Sequence, residues 1–266
     1  MNVNIFSADK RANLLSGKDW LKNSISIWGD IFKTKEEKIL KHPALFPEYL
    51  ATKLIISFLN GFDKFIMDPF MGSGSTLLAA CNLQHQSVGF EIYEEFINLA
   101  HRRLERFDKK YSIIKDNAIN MLEYIEEESV DMVITSPPYW NILNRKRTAD
   151  YKNIESYGKN NTDLGNIENY DEFVLYLSNI MEKTFLVLKP NAYCIINVMD
   201  IRVKDKFYTL HSDIYTKLKT IGFKLDDIII WDRRSEYNNL RPLGYPYKFR
   251  INRVHEYLLI FQKIVS

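Results

Sequence analysis

Two glycines and two carboxylates occur at a spacing that is typical of nucleoside binding. The run DPFMGSGST begins at Asp68 and contains Gly72 and Gly74, which let the backbone turn tightly and let a ligand approach it. Glu91 follows 23 positions after Asp68, where dinucleotide-type folds place the carboxylate that accepts hydrogen bonds from ribose hydroxyls. The pattern predicts a nucleoside-containing cofactor, and a plain strand-to-helix turn is the alternative left open.

Charge at this turn decides which cofactor is favoured. Only two of the three glycines of the dinucleotide fingerprint are present, and Asp68 would repel a pyrophosphate but suits a cationic ligand. S-adenosylmethionine is therefore favoured over NAD. Phe70, Ser75 and Thr76 complete the predicted contacts at the turn, and either hydroxyl is expected to cap the next helix. Asp116, at the end of a later apolar run, is expected to accept from the adenine amino group, with a turn or N-cap role equally open.

A rigid group of hydrogen-bond acceptors precedes two aromatic residues in the run TSPPYW. Pro137 and Pro138 remove two backbone donors and fix φ, so the carbonyls of Ser136 and Pro137 are expected to point away from a sheet ladder. Tyr139 and Trp140 add a stacking face beside those acceptors, which is what a planar base with an exocyclic amine requires. The alternative is a Pro-Pro loop beside core aromatics.

The elements that must position these residues follow from an alternation of apolar runs and helical patterns after Phe65. Seven runs are predicted strands: FIMDPF, SVGFEI, SIIKDN, VDMVITS, AYCIINV, LDDIIIW and HEYLLIFQK. Segments long enough for crossovers separate the first five and predict a parallel sheet flanked by helices, so the fold class is α/β. The last two runs are joined by residues 232–253 without a helical pattern, which favours an antiparallel return strand.

Composition is that of a globular protein with one main domain. The chain has 266 residues, 46% hydrophobic and 26% charged, and its net charge of +2 gives no overall reason to expect an anionic partner. Cys81 and Cys194, both within apolar runs, indicate neither a disulfide scaffold nor a zinc site, and the five histidines are scattered, so no metal is predicted. No apolar run reaches about 18 residues and the N-terminus lacks a signal-peptide pattern, so we expect a cytoplasmic protein without a membrane partner.

The motifs DPFMGSGST, GFEI and TSPPYW together resemble the amino-group (N4-cytosine or N6-adenine) DNA methyltransferases of bacterial and archaeal modification systems. The resemblance extends from about His42 to Lys263 and includes KHPALFPEYLATKLI and RVHEYLLIFQK. It implies a Rossmann-like S-adenosylmethionine-dependent methyltransferase fold, with a seven-stranded, mostly parallel sheet and an antiparallel C-terminal hairpin strand. It also implies S-adenosylmethionine as cofactor, double-stranded DNA as substrate, and a homodimer and a cognate restriction endonuclease as candidate partners.

The resemblance also implies roles for the SPPY tetrapeptide. Ser136, Pro137, Pro138 and Tyr139 correspond to the family's catalytic motif, with Trp140 in the base pocket. The serine version is associated mainly with the 4-amino group of cytosine, whereas adenine enzymes more often carry Asp or Asn, so cytosine N4 is favoured and adenine N6 stays open. An RNA methyltransferase acting on tRNA guanosine and a catalytically idle cofactor-binding subunit also stay open.

Methylation at carbon 5 of cytosine is excluded by the cysteine contexts. That reaction needs a cysteine nucleophile, usually after a proline, whereas Cys81 follows Ala80 and Cys194 follows Tyr193. Direct transfer to the amine of a flipped base needs no covalent enzyme intermediate.

The region that recognises DNA cannot be located from family order, because the glycine motif here precedes SPPY and the domain looks circularly permuted relative to the group it resembles. We expect an N-terminal extension at 1–40 and a catalytic domain at 41–266, with recognition loops at 141–168 and 233–253. The second loop carries six basic residues against one glutamate, interleaved with aromatics, which favours phosphate and base contacts over the alternative of a solvated loop. The predicted DNA-contacting residues are Arg145, Lys146, Arg147, Arg233, Arg234, Arg241, Lys248, Arg250 and Arg253.

Overall fold

A computed structural model describes residues 11–40, 45–107, 110–142, 163–237 and 240–264. Its α-helices are α1 (Gly17–Asn23), α2 (Lys35–Ile39), α3 (Glu48–Phe58), α4 (Ser75–Asn82), α5 (Glu94–Leu104), α6 (Tyr170–Val187) and α7 (Leu210–Ile221). Its strands are β1 (Ile27–Trp28), β2 (Phe65–Asp68), β3 (Gln86–Phe90), β4 (Tyr111–Ile114), β5 (Val130–Thr135), β6 (Leu188–Val198), β7 (Ile201–Val203), β8 (Lys206–Tyr208), β9 (Phe223–Asp232) and β10 (His255–Lys263). Short 3₁₀ turns lie at Ala118–Glu123, Leu164–Asn166 and Arg234–Glu236.

One sheet of eight strands has the order β1-β9-β10-β6-β5-β2-β3-β4. Strands β6, β5, β2, β3 and β4 are parallel to one another, and β10 lies antiparallel between β6 and β9. The α/β class, the seven predicted strands and the antiparallel return of the last strand are confirmed. The strand count needs correction, because β1 adds an eighth strand parallel to β9, pairing Trp28 with Trp231. Two residues are too few to show a period in the sequence.

The sheet is covered on both faces because successive side chains of each strand point to opposite sides. On β2, Met67 packs in a cluster with Phe173 of α6, whereas the preceding Ile66 packs with Leu54 of α3 on the other face. The described part of the N-terminal segment packs on the second face, where the ring of Trp28 is 1% exposed. No helix in the described parts of the chain has the length and apolar character needed to cross a membrane.

The strand order creates a crevice at one edge of the sheet. From β2 the chain proceeds outward through β3 and β4, then returns to place β5 and β6 on the other side of β2. Ligands of open α/β sheets bind at such a reversal, outside the carboxyl ends of the strands. Because β10 is antiparallel, its first residues reach this edge too, with Tyr257 paired to Val198 at the end of β6. Residues that follow β2, β5, β6 and β9 therefore meet the start of β10.

Candidate active site

A pocket of about 820 Å³ opens at this edge of the sheet, beyond the ends of β2, β3, β4 and β5. That volume includes the mouth of the pocket, which is open to solvent. The structure thus brings the glycine motif, the acids at two further strand ends and the SPPY motif together in one cavity. The predicted site residues in its wall are Asp68, Phe70, Gly72, Ser75, Thr76, Glu91, Asp116, Ser136 and Pro138.

The turn between β2 and α4 depends on both of its glycines. Gly72 and Gly74 have positive φ angles of 50° and 77°, a backbone conformation that side chains disfavour. A Cβ added at Gly74 would also lie 3.0 Å from the Cβ of Ala100 on α5. Gly74 is the N-cap of α4, and no side chain caps that helix. The expectation that Ser75 or Thr76 would cap it was therefore wrong, because the cap position falls one residue earlier.

Both hydroxyls of this turn have other partners. Thr76 Oγ1 donates to Asp68 Oδ2 over 2.7 Å, and Ser75 Oγ accepts from Arg103 Nη1 over 2.9 Å. The same guanidinium nitrogen donates to the carbonyl oxygen of Ser73 over 2.8 Å, and its neighbour pairs with buried Glu37 over 3.2 Å. Arg103 therefore fastens the turn to α5 and to the N-terminal segment.

Asp68 presents a buried carboxylate at the floor of the pocket. Its Oδ1 accepts from Thr135 Oγ1 over 2.7 Å and from the Phe70 amide over 3.0 Å. Burial raises the pKa of Asp68 to about 6, and the hydrogen bonds from Thr76 and Thr135 oppose part of that rise. A cationic ligand group would compensate the desolvated charge, in agreement with the preference for a cationic cofactor predicted at this turn.

Glu91 lies at the end of β3 with one oxygen held by the backbone. Its Oε1 accepts from the amides of Ile92 and Tyr93 over 2.8 and 2.9 Å. Burial raises the pKa of Glu91 to about 7, and the nearby carboxylate of Asp163 adds to that rise. Asp163 also lines the pocket, is 5% exposed and accepts from the Tyr93 hydroxyl over 2.7 Å. Sequence reasoning missed Asp163, because it stands at the end of a polar segment in which the sequence predicts no strand.

Asp116 lines the pocket at the end of β4, as expected for an adenine contact. Its carboxylate accepts from the Asn117 amide over 2.7 Å and from the Tyr124 hydroxyl over 2.9 Å. Partial burial acts to raise the pKa of Asp116, but the bonds from Tyr124, Asn117 and Asn120 together lower it. These bonds also support the alternative interpretation of Asp116 as a turn aspartate. A contact with adenine would then use the acceptor sites of the carboxylate oxygens that the bonds of the turn do not occupy.

The SPPY motif begins where the β5–β6 ladder ends. The last pair of that ladder joins Thr135 to Ile196, so the backbone of Ser136 and Pro137 lies beyond it. Ser136 and Pro138 face the pocket, whereas Pro137 is buried. The Ser136 hydroxyl therefore belongs to a residue of the pocket wall, where it can accept a hydrogen bond, whereas Pro137 is not among the residues that line the pocket.

Tyr139 has a fixed hydroxyl and a partly buried ring. The hydroxyl donates to Glu256 Oε2 over 2.7 Å and accepts from Asn197 Nδ2 over 2.7 Å. Burial and the charge of Glu256 raise the pKa of Tyr139 well above 10, so the phenol stays protonated and continues to donate. Asn197 and Glu256 were missed by sequence reasoning, although a single polar residue inside the apolar run AYCIINV was a usable signal.

Trp140 adopts a left-handed backbone conformation, with φ of 55°, that is uncommon for a bulky residue. Its ring is 5% exposed and packs against Tyr170 and Tyr208 at centroid distances of 5.3 and 5.0 Å. Such backbone strain persists only where packing imposes it, and it occurs preferentially at functional sites. Trp140 therefore anchors the end of the SPPY turn from inside the core and is not part of the pocket wall.

The predicted DNA-contacting residues differ in what they contact. Arg145, Lys146 and Arg147 lie outside the described residues. Arg234 is paired with Asp232 at the surface, and Lys248 and Arg250 share Asp205. Arg233 disagrees with a phosphate-contacting role, because its guanidinium points inward and bonds Glu256 and Glu236. Arg241 and Arg253 lie, with Lys248 and Arg250, on the segment that joins β9 to β10.

This joining segment, residues 240–253, lies at the same sheet edge as the pocket because β9 ends and β10 begins there. Its aromatic side chains are highly exposed, with Tyr247 at 95% and Phe249 at 94%. The Arg253 guanidinium lies 3.9 Å from the ring centre of Phe207 on β8, so the β7–β8 hairpin packs beside this segment. The result is an exposed basic and aromatic surface at the sheet edge where β5 ends in the SPPY motif.

The described parts of the chain contain neither an activated cysteine nor a group of metal ligands. Cys81 and Cys194 are both buried, and burial raises the pKa of each thiol, which opposes thiolate formation. Within residues 11–40, 45–107, 110–142, 163–237 and 240–264, no three His, Cys, Asp or Glu side chains are grouped so that they could hold a metal ion.

Comparison with known proteins finds one matching family model and several similar proteins. Residues 3–102 and 130–264 match the N6/N4 methyltransferase family model, described as DNA methylase. The chain is 35% identical over 85 residues to the type II methyltransferase M2.DpnII of Streptococcus pneumoniae, covering 32% of this chain and 31% of that protein. It is 31% identical over 176 residues to the type II methyltransferase M.MjaI of Methanocaldococcus jannaschii, covering 58% and 55%.

The chain spans about a third of the length of the first curated relatives it matches. Among solved structures, TrmN from Thermus thermophilus superposes with a TM-score of 0.51 at 13% identity, covering 82% of this chain and 48% of that one. At that identity the superposition shows a shared fold alone.

Proposed function

Because the chain belongs to the N6/N4 family of DNA methylases, we propose that it transfers a methyl group from S-adenosylmethionine to an exocyclic amine of a base in DNA. The observation that carries this proposal is the single cavity shared by the glycine turn, Glu91 and the SPPY motif. A cofactor site alone would leave Ser136 and Pro138 unexplained. Both residues line the cofactor pocket. A base amine that is hydrogen-bonded to them would therefore lie close to the methyl group of the cofactor.

The pocket fits S-adenosylmethionine by the chemistry of its wall. Asp68 suits the ammonium group, Glu91 suits the ribose hydroxyls, and Asp116 suits the adenine amino group. Gly72 lines the pocket without a side chain, so the backbone can approach the ligand there, whereas the Cβ position of Gly74 faces Ala100 on α5. When bound, the cofactor supplies an electrophilic methyl group on a sulfonium.

The SPPY residues prepare the amine. The nitrogen of an exocyclic amine is a poor nucleophile because its lone pair is delocalised into the ring. When the Ser136 hydroxyl and the Pro137 carbonyl accept its two hydrogens, the nitrogen becomes pyramidal and its lone pair becomes available. Tyr139 stacks on the base, which must leave the helix to reach this pocket.

The favoured target is the 4-amino group of cytosine, which the serine of SPPY supports through the family resemblance. Adenine N6 is the alternative within the same reaction. We place DNA recognition on residues 240–253 and on Arg145, Lys146 and Arg147, with residues 1–40 as an extension to a catalytic domain at 41–266. A homodimer and a cognate restriction endonuclease stay predictions from the resemblance.

The decisive experiment identifies the methylated base. DNA from cells expressing the chain is read by single-molecule sequencing, and the purified chain is incubated with labelled S-adenosylmethionine and either duplex DNA or tRNA. We expect label in DNA only, with N4-methylcytosine at one sequence context. N6-methyladenine would change the target, label in tRNA alone would replace the substrate class, and no label in either, with the cofactor bound, would indicate an idle subunit.

A further inference from the structure

A buried polar network stands directly behind the SPPY motif. Asn197 on β6 and Glu256 on β10 are 2% and 3% exposed, inside strands whose neighbouring inward positions are apolar. Asn197 is paired with Leu258 across the β6–β10 ladder, next to the strand that carries SPPY. The network therefore lies at the sheet edge where the amine acceptors are held.

Every contact between Asn197 and the motif comes from one nitrogen. Asn197 Nδ2 donates to Tyr139 Oη over 2.7 Å and lies 3.3 Å from Ser136 Oγ, which is itself 3.2 Å from Tyr139 Oη. The same nitrogen donates to Glu256 Oε2, which also accepts the Tyr139 hydroxyl. Asn197 and Glu256 thus fix the direction of the Tyr139 hydroxyl. The Ser136 hydroxyl is held through its contact with Tyr139 Oη, because both hydrogens of Asn197 Nδ2 are directed to Tyr139 and Glu256.

Charge in this network is balanced by Arg233. Its Nη1 donates to Glu256 Oε1, while Nη2 lies 2.8 Å from Glu236 Oε2. Glu236 also pairs with Lys33 of the N-terminal segment over 3.5 Å. Arg233 therefore sets a positive charge against the buried side chain of Glu256, which accepts from Tyr139.

The network costs stability that an apolar core would not. Asn197 Oδ1 is buried and has no hydrogen-bond partner in the described parts of the chain. An unsatisfied buried acceptor is expensive, and a buried ion pair is often no better for stability than apolar residues of the same volume. Packing alone therefore gives no reason for Asn197 and Glu256 at these positions.

We propose that Asn197 and Glu256 are positioning residues for methyl transfer, which hold the Ser136 hydroxyl and the Tyr139 ring in the arrangement that receives the target amine. The inference rests on the proposed function. Asn197 orients Ser136 and Tyr139 together, so the acceptor and the stacking face move as one unit. Glu256 sets the direction of the Tyr139 hydroxyl, and Arg233 acts through Glu256 instead of contacting DNA.

The test compares Asn197→Ala and Glu256→Gln with a matched control, Lys263→Met. Lys263 lies at the other end of β10, is 4% exposed and donates to the Leu188 carbonyl over 2.7 Å, so its loss breaks a buried network away from the site. We expect single-turnover methyl transfer to fall about 10- to 100-fold in the two network variants and to stay near the wild-type rate in the control. The affinity for S-adenosylmethionine should change less than about threefold, since neither residue lines the pocket.

A double variant separates positioning from general destabilisation. If the Tyr139 hydroxyl acts through this network, Tyr139→Phe combined with Asn197→Ala should lower the rate little beyond the worse single variant, because both remove the same constraint. Thermal unfolding of each variant is measured alongside, and Glu256→Gln, which preserves volume, stands in if Asn197→Ala does not fold.

Four outcomes would overturn the inference. The inference fails, while the proposed function stands, if the network variants methylate at the wild-type rate. The same conclusion follows if Lys263→Met loses as much rate as they do, or if the losses of the two single variants multiply in the double variant. A wild-type chain that binds the cofactor and methylates no DNA overturns the proposed function, and the inference with it.

Discussion

Tyr139 joins the pocket-facing SPPY turn to the buried network behind it, and so permits a test of the stacking role. Replacement by alanine removes both the ring and the hydroxyl. We expect Tyr139→Ala to lower methylation of DNA by about 100-fold or more, since stacking contributes roughly 1–3 kcal/mol per base and the amine would also lose its fixed geometry. Binding of S-adenosylmethionine, followed by calorimetry, should be retained because Tyr139 does not line the cofactor pocket. Normal methylation by this variant would contradict the stacking role.

The two buried carboxylates of the pocket predict a cofactor affinity that depends on pH. Burial raises the pKa of Asp68 to about 6 and that of Glu91 to about 7, so both carboxyl groups of the free protein carry protons at mildly acidic pH. These protons must leave before the carboxylates can bind the ammonium group and the ribose hydroxyls of the cofactor. We expect the Kd for S-adenosylmethionine to fall on the order of tenfold from about pH 5.5 to about pH 8. Asp68→Asn should bind S-adenosylmethionine weakly, and its Kd should no longer change with pH near 6, where Asp68 titrates. A Kd independent of pH in the wild type would contradict these pKa values.

The same carboxylates predict how the free protein's stability changes with pH. Each folded pKa lies above its ordinary value, 3.8 for Asp68 and 4.5 for Glu91, so the unfolded chain loses these protons first as pH rises. Their contribution to the free energy of unfolding is therefore present at low pH and is lost between about pH 4 and pH 7. Urea unfolding of Glu91→Gln against wild type over this range isolates the effect, since the variant should lose less stability as pH rises. A difference that stays constant would count against a raised pKa.

At the scale of an element, the β2–α4 turn should tolerate no side chain at its N-cap. Gly74 combines a φ of 77° with a space closed by Ala100, so Gly74→Ala adds both backbone strain and a close contact. We expect it to lower the free energy of unfolding by about 1–2 kcal/mol or more and to weaken cofactor binding, because the turn forms the pocket wall. The matched control is Gly17→Ala at the start of α1, where an added Cβ meets nothing within 4 Å. It should stay within about 0.5 kcal/mol of wild type in chemical denaturation.

Strands with strong local patterns could be predicted from the sequence, whereas contacts made by distant segments could not. The runs that became β2, β3, β5, β6 and β10 carried their own apolar pattern, and the acids and SPPY stood at their ends. Strand β1 exists only because Trp28 pairs with Trp231 about 200 positions away, which no local period reveals. The inward turn of Arg233 depends likewise on Glu256 across the sheet, so composition alone assigned that arginine to the surface.

Over the whole molecule, the local distribution of charge is more informative than the net charge. The net charge is only +2, yet residues 233–253 contain six basic residues and a single acid. Ion pairs offset part of this, since Arg233 and Arg234 each contact a carboxylate, and Lys248 and Arg250 share that of Asp205. Arg241 and Lys248 are the two basic residues of 240–253 that lie exposed. Among the described residues of 233–253, fewer cations than the sequence suggests should therefore be left to attract DNA.

This arrangement predicts a specific salt dependence for DNA binding. Each phosphate contact contributes about 0.9 to the slope of log K against log salt, so Arg241→Gln and Lys248→Gln should each reduce the slope by about that amount and the double variant by about twice it. Lys224→Gln is the matched control, because Lys224 is exposed on β9 at the opposite edge of the sheet and should leave the slope unchanged. Fluorescence anisotropy on a labelled duplex across a salt series measures the slope of the wild type and of every variant. Equal slopes in wild type and the double variant would remove residues 240–253 from the DNA-binding surface, whereas an equal loss in Lys224→Gln would show that attraction is spread over the whole protein.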